Sequence, residues 1–413
     1  MIQGRFAIVL LLTALNLINY IDRFLVMAVA PRIQESLALT DAQVGWVTSA
    51  FMLGYFVTSP VFGWLGDRMP RKVLIAIGVL VWSAATALSG TAKSFESMVA
   101  MRVLVGVGEA SYATLSPTII DDIATPAQKN KLLAVFYVAI PVGSALGFVL
   151  GGLLEHAYGW RSAFFFAGGP GVLLSLVTLF IREPASAGRA DARSGGKSYA
   201  ALARFPLYRD TVLGYVAQTF ALGGFTAWAA TYLYRKLCLE LRTGDLYFGA
   251  ITVVTGLVGT FVGGVLADRW PGVDRTRAAL RVCAWSSIVA APLALGALLM
   301  PNAVGFLVMM ALCELALFAS VAPTNVAVLQ SVPSDLRARA MAASIFAIHL
   351  FGDFPSPPVV GSVSDLYHDA KGICTGAAGL GRGMLLLPLA IALSAAFWWR
   401  GSRPQGTTTE RPA

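Results

Sequence analysis

Long apolar stretches alternate with short polar breaks along this chain, and the length of the stretches decides what they are. A helix needs about 20 residues to cross the hydrocarbon core of a bilayer. Stretches of that order run over residues 6–30, 43–66, 73–92, 97–120, 131–154, 161–181, 210–235, 246–268, 278–300, 303–330, 339–365 and 379–400. The pattern predicts an all-α integral membrane protein with twelve transmembrane helices. Most breaks are short. The exception is 182–209, rich in Arg, Ala, Ser and Gly, which reads as a linker between two groups of six helices. The expected organisation is an N-terminal six-helix bundle over 1–181, the linker over 182–209, a C-terminal bundle over 210–400 and a disordered tail over 401–413. The first stretch is too long for a signal-peptide core and precedes no soluble domain, so no cleaved leader is expected.

Composition agrees with lipid exposure, because charged residues make up 13% of the chain against about a quarter in soluble domains. The charges that remain are placed asymmetrically. With the N-terminus inside, 21 Lys and Arg fall on the cytoplasmic side and 8 on the other, with Arg23 and Arg102 inside spans. Such a bias sets both termini in the cytoplasm, and it explains the net charge of +9 without a nucleic-acid partner. Arginine supplies 24 of the 31 basic residues, a composition that points to a GC-rich bacterium and hence to its inner membrane. Cys238, Cys283, Cys313 and Cys374 form no CxxC pair and read as small apolar fillers. No GxxxxGK[ST] loop, Ser/His/Asp set or metal-ligand cluster stands out, so neither an ATP-driven pump nor an enzyme is expected, and no cofactor or metal.

Two matches at nearly half the chain length reveal an internal repeat. Gly63-Trp-Leu-Gly-Asp67-Arg68 matches Gly264-Val-Leu-Ala-Asp268-Arg269, and Ser116-Pro117-Thr118 matches Ala322-Pro323-Thr324. Parallel repeats of six helices are a plan of secondary transporters, with the substrate held between the halves near the midplane. The string Gly63-Trp-Leu-Gly66-Asp67-Arg68-Met-Pro70-Arg71-Lys72 resembles the G-x-L-[AG]-D-R-x-x-R-[RK] loop signature of the major facilitator superfamily. The string Arg102-Val-Leu-Val-Gly106-Val-Gly108-Glu109-Ala110 resembles its R-x-x-x-G-x-G-x-A signature. The resemblance implies a gating cluster of Gly63, Asp67, Arg68, Arg71 and Lys72, echoed by Asp268 and Arg269. Gly143, Gly147, Gly151 and Gly152 beside Pro141 only partly match the antiporter pattern of span 5. They fit a hinge or simple close packing equally well.

Ionisable residues inside the spans carry the chemistry, since a charge at the bilayer centre costs at least ~2.5–3.5 kcal/mol and therefore faces a cavity or a partner. Asp22 and Arg23 lie in span 1, and Arg102 and Glu109 share one face of span 4. Asp22 falls at a depth between Arg102 and Glu109. If spans 1 and 4 adjoin, the three form a buried acid–base cluster that serves either as a proton switch or as a fixed ion pair between helices. In the second half Glu314 sits near the repeat equivalent of Glu109, with His349 and Asp353 on span 11. For His349, a satisfied core position stands beside a role in transport.

Within the superfamily, Asn19-Tyr20-Ile21-Asp22-Arg23 and Gly106-Val-Gly-Glu109-Ala-Ser111-Tyr112 through Pro117-Thr118-Ile-Ile-Asp121 resemble the Spinster lipid transporters, with weaker support from Phe220, Phe225, Trp228 and Tyr232 in span 7. That resemblance implies proton-coupled movement of a lysolipid-like amphipathic substrate by alternating access, with Asp22, Arg102 and Glu109 coupling protons. The expected cavity is built from Asn19, Tyr20, Arg23, Ser111, Tyr112, Phe220, Trp228, Glu314, Asn325, His349 and Asp353. The expected partners are the lysolipid, protons and membrane lipids, and the protein is expected to be a monomer. A proton-coupled symporter of small organic anions is the alternative. A receptor or scaffold that no longer transports is a third reading, which gives the buried charges nothing to do.

Overall fold

A computed structural model describes residues 4–125, 128–182, 199–271, 273–367, 370 and 372–403. The predicted tail from 404 onward and residues 183–198 of the predicted linker lie outside the described residues. The described chain is helical: α1 Arg5–Ala28, α2 Ala30–Leu37, α3 Asp41–Ser49, α4 Phe51–Gly66, α5 Arg71–Ser89, α6 Phe95–Ile123, α7 Lys129–Tyr158, α8 Trp160–Thr178, α9 Pro206–Arg235, α10 Leu241–Arg269, α11 Arg275–Leu299, α12 Ala303–Ala319, α13 Val321–Gln330, α14 Arg337–Ile348, α15 Ser356–Asp365, α16 Ala378–Met384 and α17 Leu386–Ser402. A 3-10 turn over Tyr199–Arg204 precedes α9, so the helix starts four residues before the predicted boundary at 210. Among the described residues ten helical segments are long and apolar enough to cross a membrane, counting α3–α4, α12–α13 and α16–α17 as one each. The other two predicted spans correspond to α9, which is long but comparatively polar, and to α14–α15, which a π turn at His349–Asp353 interrupts.

Local sequence sets where these helices begin. Thr40 accepts from the Gln43 backbone while Gln43 answers to the Thr40 amide, and Ser94 with Ser97 closes α6 in the same way. Each pair satisfies amide donors that an uncapped helix would leave free. Asp274 and Asn302 start α11 and α12 by the same logic.

The helix axes run up and down, giving one end that carries Gly4 and Arg403 (the termini end) and an opposite far end. At the termini end the apolar cores belong to separate halves. Ile8, Leu12, Leu74, Leu115, Ile119 and Ile120 pack together in the first half, while Leu280, Cys283, Ala327 and Trp398 pack in the second. At the far end one cluster unites both halves, running from Leu25, Ile33, Val44 and Phe148 to Trp228, Phe248, Val360 and Leu380. Among the described residues, the buried apolar cluster that joins the two halves lies at the far end.

Gly106 and Gly108 show why span 4 carries its glycine pair. A methyl group on Gly106 would overlap the Phe51 carbonyl oxygen of α4, and one on Gly108 would meet the Gly78 carbonyl and Trp82 of α5. The two glycines let α6 lie against both neighbours at backbone contact. Gly106→Ala should therefore cost about 1–3 kcal/mol through overpacking, checked as a lowered melting temperature in detergent; an unchanged melting temperature would count against this close fit.

The cysteine expectation needs correction. Cys238 and Cys374 form a disulfide across 136 residues of sequence, with Cα atoms 4.6 Å apart, while Cys283 and Cys313 are buried and free. The pair is created by the fold, which brings the far end of α9 beside the stretch before α16, and no local spacing announces it.

Candidate functional site

A cavity of about 310 Å³ lies between the halves, lined by α1, α4, α6, α7 and α14 with the π turn. Asn16, Asn19, Tyr20 and Arg23 face it from α1, Phe51, Met52, Tyr55 and Phe56 from α4, and Tyr112 and Pro117 from α6. Phe136, Tyr137 and Ile140 close it from α7, and Ile345 and His349 from the second half. Its wall extends from Arg23 to Asn16 and Pro117, that is, towards the termini end. Ring contacts span the halves beside it, among them Phe56 with Phe346 at 6.0 Å, with Phe354 at 6.1 Å and with His349 at 6.5 Å, and Trp46 with Phe354 at 5.8 Å between ring centroids.

The expected acid–base cluster is present, with different pairing. Glu109 is bonded to Arg23, not to Arg102, at 2.5 Å between Nη2 and Oε2. Arg23 also lies over the rings of Tyr20 at 5.0 Å and Phe51 at 4.5 Å. Asp22 is fully buried and accepts a hydrogen bond from the Thr86 hydroxyl of α5 at 3.3 Å. Arg102 is fully buried too, its three guanidinium nitrogens make no hydrogen bond with the described residues, and it lies 5.9 Å from the Phe51 ring. Asp22 feels the fields of both Glu109 and Arg102. Two arginines thus share one site with two carboxylates, and the arginine that reaches the cavity wall is the one holding Glu109.

Among the other expected cavity residues, Asn19, Tyr20, Arg23, Tyr112 and His349 line the wall. His349 Nδ1 lies 3.1 and 3.0 Å from the two carboxylate oxygens of Asp353, which stands behind it on the π turn. The remainder sit elsewhere. Ser111 is spent on α5–α6 packing, its hydroxyl donating to the Gly108 carbonyl at 2.9 Å. Trp228 is core, its indole N–H donating to the Pro357 carbonyl at 3.1 Å, and Phe225 and Tyr232 are buried in the same cluster with Phe220 packed against it. Glu314 is buried between α10 and α12, accepting from Thr252 at 3.3 Å and Thr255 at 3.0 Å. Asn325 donates to the Val321 carbonyl of its own helix at 3.1 Å. Aromatic and polar residues of span 7 and span 10 are thus consumed inside the second half, whereas span 2, with its Phe51-x-x-x-Tyr55-Phe56 run at helical spacing, supplies the wall.

The far end is shut by a buried ionic knot that the sequence reading missed. Arg235, the last residue of α9, donates to both oxygens of Asp41 at 2.9 and 3.2 Å. Both side chains are buried. Gln34 Nε2 and the Ser364 hydroxyl each donate to Asp41 at 2.6 Å, and Gln34 Oε1 accepts from Arg235. Across the same seam Asp365 accepts from the backbone amides of Asp41 and Ala42, both at 2.8 Å. The first turn of α3 is therefore capped by the other half of the protein.

Comparison with known proteins gives the family. The Major Facilitator Superfamily profile matches residues 12–357. The chain is 34% identical to the sphingosine-1-phosphate transporter SPNS2 of Danio rerio over 411 residues, covering 93% of this chain and 81% of that one. This chain is a spinster-type member of the major facilitator superfamily. It is also 33% identical to protein spinster of Drosophila melanogaster, covering 86% of this chain and 61% of that protein. A solved bacterial homolog of the human lysosomal transporter Spinster, inward-facing and unoccupied, shares the fold with a TM-score of 0.85 at 23% identity, covering 96% and 97% of the two chains. A D-xylose–proton symporter shares it at 0.79 and 15%, covering 96% and 97%.

In this spinster-type chain several contacts of the superfamily loop signature lie within its own half. Buried Arg71 pairs with Asp122 at 2.6 Å and donates to Thr118 at 3.0 Å. Lys72 donates to the Ile181 carbonyl at 3.1 Å, and Arg68 lies 4.0 Å over the Trp64 ring. Gly63 and Gly66 face Thr114 and Leu115 of α6, and Asp67 follows at the C-terminus of α4. In the repeat, Asp268 pairs with Arg275 at 3.3 Å, and both are exposed, as is Arg269.

Proposed function

We propose that this protein is a proton-coupled secondary transporter that moves a lysolipid-like amphipathic substrate across a bacterial inner membrane by alternating access, as a monomer. The observation that carries the reading is the cavity itself: it lies between two halves that are fused at the far end and packed separately at the termini end. In alternating access the same cavity must open to one side and then the other, so a seal at one end marks one of the two states. Arg23 at the cavity wall is the natural partner for an anionic headgroup, and Phe51, Phe56 and Phe136 suit the apolar part. A headgroup that drew Arg23 away from Glu109 would leave that carboxylate unpaired, favour its protonation and link the two fluxes.

On this reading α9 and α14–α15 complete twelve crossings, and both termini are cytoplasmic. The basic bias supports that orientation, and so does the Cys238–Cys374 disulfide, which sits at the far end where an oxidising compartment would form it. The relative of Danio rerio is named for sphingosine-1-phosphate, a lysolipid-like species. A small organic anion is the second reading, favoured by Asn16, Asn19, Tyr55, Tyr137 and His349 on the wall.

Proteoliposomes should accumulate lysophospholipid or sphingoid phosphate when a pH gradient is imposed and lose that accumulation when it is collapsed. Uptake confined to sugar acids or other small anions would replace the lipid reading with the second one. Uptake indifferent to the gradient would remove proton coupling.

A further inference from the structure

Asp245 stands on the second turn of α10, fully buried, and neither of its carboxylate oxygens makes a hydrogen bond with the described residues. Every other buried acid described so far has a partner in Arg, Thr, Gln or Ser. The position is at the seam where α10 of the second half meets α7 of the first. Gly152 of α7 faces the carboxylate so closely that a methyl there would sit 3.0 Å from Oδ2 and 3.1 Å from the Arg242 Cα. One turn deeper Gly249 of α10 packs on Ala145 and Phe148 of α7. The two helices are held together by glycine on both sides, and Asp245 is sealed by that contact.

Among the described residues the surrounding charges do not compensate it. Glu155, one turn along α7, is the charged neighbour whose field reaches Asp245, and it is an acid already engaged by Arg32 Nε at 2.8 Å. Tyr234 from α9 is committed to Arg32 at 3.0 Å and Glu35 at 3.1 Å. His156 and Glu240 pair with each other at 3.2 Å on the exposed rim, and the Arg242 side chain is exposed. A buried carboxylate with no donor and an acidic neighbour is stable only in the neutral form. If α7 and α10 part, water reaches the same carboxyl and the charged form becomes the stable one.

We propose that Asp245 is a proton-binding site set in the seam between the two halves, carrying its proton while the far end is closed and releasing it to water when the far end opens. Rocking the halves then transfers one proton at Asp245, separate from the cluster at Asp22, Arg102 and Glu109. The proposal rests on the alternating-access reading, since it needs the seam to open. It also fixes a direction: protons on the far side favour closure and their removal favours opening.

The test uses the full chain in nanodiscs, with spin labels at the far ends of α7 and α10 and infrared difference spectra collected across pH. The wild type should show a protonated-carboxyl band in the closed state that disappears as the far-end distance lengthens at higher pH. Asp245→Asn, which keeps the shape and never ionises, should lose that band and remain closed at pH values where the wild type has opened. The closed-state band assigned to Asp245 should survive in Glu109→Gln, whatever that substitution does to coupling at Arg23. A closed-state band unchanged in Asp245→Asn, or widening in that variant at the wild-type pH, would overturn the assignment. A wild type whose far end never moves under any pH or substrate would overturn the linkage together with the alternating-access reading, and the infrared band tells the two failures apart.

Discussion

Glu109→Gln should abolish proton-driven accumulation while leaving exchange of labelled for unlabelled substrate measurable. Glu109 is buried, and its carboxylate is held by Arg23 at the cavity wall. The amide has nearly the same shape but no charge to bind or release a proton, so the variant sits permanently in the condition of the neutral acid. Arg23 would then be free for an anionic substrate in every state, and binding would persist without a coupled proton. One pH unit is worth about 1.36 kcal/mol per proton, or about tenfold accumulation for each proton moved. That increment should vanish, leaving substrate to equilibrate down its own gradient. Asp22→Asn should act differently, because Asp22 is held by Thr86 and lies off the cavity wall: it should weaken the pH dependence of opening and retain part of the accumulation. Arg102→Ala should be the most damaging to folding, since it leaves Asp22 buried without its neighbouring cation. Counterflow and gradient-driven uptake in the same proteoliposomes separate these outcomes. Wild-type accumulation by Glu109→Gln would move the coupling elsewhere, with Asp245 and Glu314 next in line.

The sequence was informative wherever a property repeats along a helix and silent wherever two distant segments meet. Apolar length announced the helices, and the pair of matches near Asp67 and Asp268 pointed to an internal repeat. Gly106 and Gly108 were legible only as part of a signature, and the contacts with Phe51 and Gly78 supply the physical reason for them. The neighbourhood of Asp22, Arg102 and Glu109 could be inferred from depth once spans 1 and 4 are taken to adjoin, as the family resemblance implies. Their pairing could not, because Arg23 and Arg102 compete for one carboxylate and only the packing decides. The Phe51 ring of α4 lies near both guanidinium groups, closer to Arg23 than to Arg102. Span 7 misled for a related reason: its aromatics are periodic, yet periodicity does not say whether the apolar face turns to the cavity or to the other helices of its own half. Trp228 and Tyr232 turn to the helices. The disulfide and the Arg235–Asp41 knot join residues 136 and 194 positions apart, and no local pattern encodes such pairs.

That knot gives the second large effect. Arg235→Ala should shift the protein towards a state open at the far end. The Arg235 fork, Gln34 and Ser364 all converge on the Asp41 carboxylate, and the pair lies on opposite halves, so separation of the halves at this end must break it. Removing one partner of a buried ion pair costs roughly 3–5 kcal/mol because the other is left uncompensated. Here nearly the whole cost falls on the closed state, since opening would expose Asp41 to water. A penalty of that size corresponds to a shift of about a hundredfold or more in the equilibrium between the states. Asp41→Asn should shift it less, because Gln34 and Ser364 can still bond an amide, and Arg235→Lys should fall between, keeping the charge and losing the two-pronged geometry. Labels on α3 and α15 report the result directly as a distance across the far end. Uptake should fall in all three variants, because a carrier biased to one side returns slowly, while the melting temperature falls most for Arg235→Ala. A far-end distance distribution identical to wild type in Arg235→Ala would show that the apolar cluster from Leu25 to Leu380 closes this end by itself and that the ions merely occupy it.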